Sequence, residues 1–182
     1  MQVLIYTPDQ KGLFARICGY FDRIGHTIME ARIHTTLDGR ALDTFQVMHR
    51  SSTLEHYRDT LTRIENELQE RLLTEAALPP PQMGRLSRHV RHFPIAAMVY
   101  LGEPEREGIR PLTIVAGDRP GLLYRVSLVL VQHDLNLHGA RINTLGERAE
   151  DTFLISGLAV ESAAGREQLR TQLLAELNDL PV

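Results

Sequence analysis

The chain has 182 residues, 43% hydrophobic and 24% charged, a balance that fits a globular protein and excludes a disordered one. Its net charge of −3 argues against non-specific nucleic-acid binding and a membrane-surface role, and its longest apolar run, Phe93–Leu101, is nine residues against the ~18–20 of a membrane span. One cysteine rules out an internal disulfide, and with no signal peptide visible the expectation is a soluble, cytoplasmic protein.

A β-like run at Gln2–Thr7 leads through Asp9-Gln10-Lys11-Gly12 into apolar residues at helical spacing, Leu13, Ile17, Phe21 and Ile24. Two strand-like runs follow, about Thr27–Leu37 and Arg40–Met48, joined at Asp38-Gly39 as in a hairpin. The stripe Leu54, Tyr57, Leu61, Ile64, Leu68 and Leu72 predicts a second helix, opened by a Ser52-x-x-Glu55 capping box. Pro79-Pro80-Pro81 cannot continue a helix and marks a linker. Phe93–Leu101 then reads as a strand, turned by Gly102, Pro104 and Gly108 into another at Pro111–Ala116. After Asp118-Arg119-Pro120-Gly121 comes a helix on Leu122, Val126 and Leu130. Strands at Asn136–Leu145 and Arg148–Ala159, joined at Gly146-Glu147, precede a last helix carrying Leu169, Leu173, Leu177 and Leu180.

These elements are one pattern written twice. Val3–Phe14 recurs as Leu112–Leu123, with Gly12 and Gly121 standing 109 residues apart. The match continues through Ala31/Ala140, Arg32/Arg141, Ile33/Ile142 and Thr35/Thr144. After a one-residue deletion in the hairpin turn, Asp43-Thr44-Phe45 answers Asp151-Thr152-Phe153. The fold class is α+β: two ferredoxin-like domains, βαββαβ or permuted ββαββα, each an antiparallel sheet with helices on one face. Domain one covers 1–78, a linker 79–91 and domain two 92–182, with 92–101 offering the edge strand of the permuted order. Copy one has no counterpart of that strand, which implies an edge completed by another chain or by a longer polypeptide. Domains this small gain by packing edge to edge or by dimerising.

The candidate site is the repeated Asp-x-x-Gly-Leu turn, Asp9, Gly12 and Leu13 in one copy and Asp118, Pro120, Gly121 and Leu122 in the other. A helix amino terminus offers unpaired N–H donors that suit a carboxylate or phosphate, and glycine admits a ligand close to the backbone. The competing structural role is that Asp9 and Asp118 are N-caps. Asn136 and His138 open the next strand of copy two and are expected beside the Asp118 turn, either as polar ligand contacts or as edge-strand polars. Arg32 and Arg141 are expected in ion pairs with Asp43 or Asp151. The basic stretch of Arg85, Arg88, His89, Arg91 and His92 reads as a solvated linker face rather than a grip on nucleic acid. His133-Asp134 and His89-x-x-His92 lack further ligands, so no metal site is expected. Cys18 aligns with Ser127 as a small helix residue. With no Walker loop, no Gly-x-Gly-x-x-Gly and no Ser/His/Asp set, the chain reads as non-catalytic.

Thr7–Phe14, Glu30–Thr36, Ala41–Phe45, Gly117–Leu123, Leu137–Ile142 and Glu150–Phe153 resemble tandem ACT domains, and more narrowly the carboxy-terminal ACT pair of the bifunctional uridylyltransferase/uridylyl-removing enzymes. The resemblance implies a regulatory, glutamine-sensing region in nitrogen signalling, with PII proteins as partners of the parent enzyme. It also implies that the nucleotidyltransferase and hydrolase domains lie outside this chain, that Mg belongs only to those domains, and that the chain itself needs no cofactor. Glutamine, or a similar amino acid, would place its α-carboxylate on the amides near Gly121 and Leu122 and its ammonium at Asp118 or a backbone carbonyl, with its amide against Asn136 or His138. Homodimerisation through the ACT domains is a further implication. The alternative is a free-standing tandem-ACT adaptor that binds a protein. Gln10-Lys11 in copy one, where copy two has Arg119-Pro120, implies that the two sites are not equivalent.

Overall fold

The computed structural model describes residues 1–49, 57–72, 78–81, 95–104 and 108–178. Copy one contributes β1 (Gln2–Pro8), α1 (Leu13–Arg23), β2 (His26–His34), β3 (Arg40–His49) and α2 (Tyr57–Leu72). Copy two contributes β4 (Met98–Leu101), β5 (Arg110–Gly117), α3 (Leu122–Gln132), β6 (Asn136–Leu145), β7 (Arg148–Ser156), a one-turn α4 (Leu158–Glu161) and α5 (Ala163–Asn178). The strands form one antiparallel sheet of seven in the order β1-β3-β2-β6-β7-β5-β4. The fold is α+β, two ferredoxin-like halves joined edge to edge.

The join is between equivalent strands. β2 pairs β6 antiparallel with Ala31 opposite Ile142, Arg32 opposite Arg141 and Ile33 opposite Ala140. Since Arg32 and Arg141 are repeat equivalents, a pseudo-twofold axis passes between them. The axis carries the entry turn of each half across to face the second strand of the other half.

Alternation along the strands sends one side chain in two toward the helices. From β3 and β7, Phe45 and Phe153 are fully buried. Phe14 of α1 touches both, with ring centroids 6.3 Å from Phe45 and 6.1 Å from Phe153. The core is therefore continuous across the repeat, and each buried phenylalanine stabilises it by roughly 1.5–3 kcal/mol. α1 packs on α3, where Tyr124 lies over Gly19.

Several boundaries differ from those the sequence predicts. The strand at Phe93–Leu101 is confined to Met98–Leu101, which pairs β5 and leaves Ile95–Ala97 outside the ladder; Ala96 and Ala97 have little side chain to pack on a sheet. Phe93 itself lies outside the described residues, as do the Ser52–Glu55 capping box, Leu54, Leu180 and the basic stretch from Arg85 to His92. The second strand ends at His34, and Thr35 makes only an isolated bridge with Ala41. Arg148–Ala159 ends at Ser156 because Gly157 takes φ 146°, turning the chain into α4. β1 ends the sheet on one side, and between it and α2 runs a groove of about 510 Å³ containing Val3, Ile5, Leu61 and Ile64.

Candidate functional site

Each entry turn begins its helix the same way. Gly12 and Gly121 are the N-caps, both left-handed at φ 76°, and no side chain caps either helix. Asp9 and Asp118 are therefore not N-caps, contrary to the structural role weighed from sequence. They sit one turn earlier, fixed through their backbones: the Asp9 amide donates to Gly39 O at 3.0 Å, the Asp118 amide to Glu147 O at 2.8 Å. The Asp9 carboxylate accepts from Thr35 Oγ1 at 2.9 Å and so points along β2. At the start of α1 the Leu13 amide donates to Gln10 O and the Arg16 amide to Gly12 O. The amides of Phe14 and Ala15 between them have no acceptor within the helix.

Because of the pseudo-twofold, the Asp9 turn faces the end of α3 and the start of β6. A cavity of about 260 Å³ lies there, walled by Gly12, Leu13 and Ala15 from copy one and by Ser127, Leu130 and Asn136 from copy two. Lys11, one of the lining residues, pairs at the surface with Asp134 of the other half. The Asp118 turn faces the start of β2 in the same manner, but there the space is about 40 Å³.

The two cavities are lined by equivalent positions, so their difference is one of side chains. Where the first has Ala15, the second has Tyr124, buried to 2% exposure, its hydroxyl donating to Pro79 O at 2.5 Å. Gly19 makes this possible, since a Cβ there would stand 2.7 Å from the Tyr124 ring. Ser127 and Leu135 of the first are Cys18 and His26 in the second. Arg119 of the second turn is itself buried, donating to Glu176 O across to α5.

The expectation that Asn136 and His138 flank the Asp118 turn is corrected by this geometry. Asn136 lines the Asp9 cavity, and the Asp118 turn meets Thr27 instead. His138 sits at a β-bulge, exposed and hydrogen-bonded to Ser156 Oγ at 2.7 Å, and lines neither cavity. Arg32 pairs with Glu30 at 3.1 Å on the outer face of the sheet rather than with Asp43 or Asp151. His133 meets Gln172 Oε1 at 2.7 Å.

Sequence reasoning missed Asp43 and Asp151 as cavity residues. Asp43 projects from β3 into the wall of the first cavity, Asp151 from β7 into the second, and they are 1% and 3% exposed. The backbone amides of His34 and Asn143 donate to them at 3.3 and 3.2 Å. Burial pushes the Asp43 carboxyl up to about 6, opposed by the His34 amide and aided by the charge of Asp9. Burial likewise pushes Asp151 up to about 7, with the Asn143 amide opposing and Asp118 aiding. The recurrence of Asp-Thr-Phe in both copies is the available signal, and reading its aspartate as a partner for arginine points away from the cavity walls where it sits.

Among the described residues, no group of three or more His, Cys, Asp or Glu side chains converges as a metal site, and no helix is long and apolar enough to cross a membrane.

No family model matches the chain. It is 46% identical over 181 residues, its whole length, to a bifunctional uridylyltransferase/uridylyl-removing enzyme of Nitrosospira multiformis, of which the match covers 20%. It is 52% identical over 160 residues to the enzyme of the same description from Ralstonia nicotianae, covering 86% of the chain and 19% of the relative. Against that of Cupriavidus pinatubonensis it is 50% identical over 181 residues, covering 97% of the chain and 21% of the relative. The chain thus spans about a fifth of the length of the curated relatives it matches.

Proposed function

We propose that this chain, homologous along its length to one segment of the bifunctional uridylyltransferase/uridylyl-removing enzymes, is a regulatory pair of ACT domains that binds a free amino acid, glutamine, at the Asp9 turn. The observation that carries this reading is the 260 Å³ cavity between the two halves, open at one entry turn and filled at the other. A zwitterion suits it. The first-turn amides of α1 and the positive end of that helix favour a carboxylate, while Asn136 offers both a donor and an acceptor to a side-chain amide.

A ligand here touches both halves, so its binding energy bears on how they pack. It changes the state of any attached domain only through a difference in affinity between two packings. In the longer protein, the uridylyl-transferring and uridylyl-removing activities and their PII substrates are the readout this reading assigns to that difference.

Calorimetric titration of glutamine into the chain tests the reading. One equivalent should bind, Asn136→Ala should weaken it, and Asp118→Ala should leave it unchanged. Absence of heat with the unaltered chain removes the sensor reading.

A further inference from the structure

We propose that Asp43 is the counter-ion for the ammonium group of the ligand in the Asp9 cavity, a role that rests on the amino-acid reading above and makes the site selective for ligands that carry such a group.

A carboxylate that is 1% exposed is costly to ionise alone, so it either keeps its proton or takes up a cation. Among the described residues, Asp43 has the His34 amide and no cation. The groups around it can be taken element by element. From the entry turn come the acidic Asp9 and Lys11, whose ammonium pairs with Asp134. β2 presents Ile33 to the cavity, and Thr35 just beyond its end donates to Asp9; the His34 side chain is exposed. α3 and β6 supply Ser127, Leu130 and Asn136, none of them charged. Negative charge therefore gathers on the β3 side of the cavity, with amide donors at the α1 end. An α-amino acid has the matching polarity, with ammonium toward Asp43 and Asp9 and carboxylate toward the Phe14 and Ala15 amides.

The twin residue is a control built into the fold. Asp151 is buried in the same way, but Tyr124 occupies the space that Ala15 leaves open in front of Asp43. Asp151 therefore plays no part in binding. Because Asp43 holds its proton up to about pH 6 in the free protein, an ammonium ligand must displace that proton in more acidic solution, and binding weakens as pH falls through this value.

The test is calorimetry on the 182-residue chain with glutamine and with 4-carbamoylbutyrate, the same molecule without its α-amino group, at about pH 7.5 and 5.5. The unaltered chain should prefer glutamine, and bind it more weakly at the lower pH. Asp43→Asn should lose roughly ten- to hundredfold in glutamine affinity and most of its preference over the des-amino analogue, while Asp151→Asn binds as the unaltered chain does. Equal binding of the two ligands by the unaltered chain overturns the role of Asp43 without need of a variant. So does an Asp43→Asn chain, folded by circular dichroism, that keeps both affinity and preference. Either result leaves the amino-acid reading standing, whereas failure of the unaltered chain to take up glutamine ends both.

Discussion

Gly19 lies in the middle of α1, where replacing glycine by alanine ordinarily stabilises a helix by about 1 kcal/mol. Here the new Cβ would stand 2.7 Å from Cε2 and Cζ of Tyr124. That ring is 2% exposed and anchored by its hydroxyl on Pro79 O, so it has no solvent-filled space to swing into. Overpacking of this kind costs about 1–3 kcal/mol, and losing the hydroxyl contact adds about 1 more. The net expectation for Gly19→Ala is a destabilisation of about 1–3 kcal/mol. In a Tyr124→Ala background the obstacle is gone, and the same substitution should recover its ordinary gain. Urea unfolding of the four chains of this double-mutant cycle, followed by circular dichroism, should give a coupling of about 2–4 kcal/mol. If Gly19→Ala stabilises both backgrounds equally, Tyr124 does not seal the second cavity by resting on α1, and the account of why the two cavities differ fails.

Two further outcomes follow from single groups. Gly12→Ala brings its Cβ to an ordinary 3.6 Å from Val131, so its cost comes from the left-handed backbone alone, about 1–2 kcal/mol by thermal or urea unfolding; a cost near zero would mean the turn can relax to another conformation. Asp43 and Asp151 hold their protons to about pH 6 and 7, against 3.8 in the unfolded chain. The folded state thus binds more protons than the unfolded one in this range, and their contribution is complete below about pH 4 and lost as pH rises through 6 to 7. Asp151→Asn should remove its share, so the gap in urea midpoint between unaltered chain and variant should narrow or reverse, by the equivalent of a few kcal/mol, from about pH 5 to pH 8. A gap that is constant across that interval refutes the assignment.

Much of this protein was legible in the order of its residues. The duplicated turn, the Ala-Arg-Ile phrase and the paired Asp-Thr-Phe segments announce two copies of one unit, because strand alternation and helical spacing are local properties that survive in the sequence. They fixed the ferredoxin-like order of elements and placed Gly12 and Gly121 at helix entries. Local spacing carries no record of which strand edge meets which. Only the antiparallel pairing of β2 with β6 decided that Asn136 would line the cavity at the Asp9 turn and not one at its own copy's turn, because a twofold join exchanges partners across the axis. Likewise, Ala15 and Tyr124 occupy equivalent places in the two copies, and their consequence waits on packing: the Tyr124 ring finds Gly19 on the facing helix and closes one cavity, while Ala15 leaves the other open.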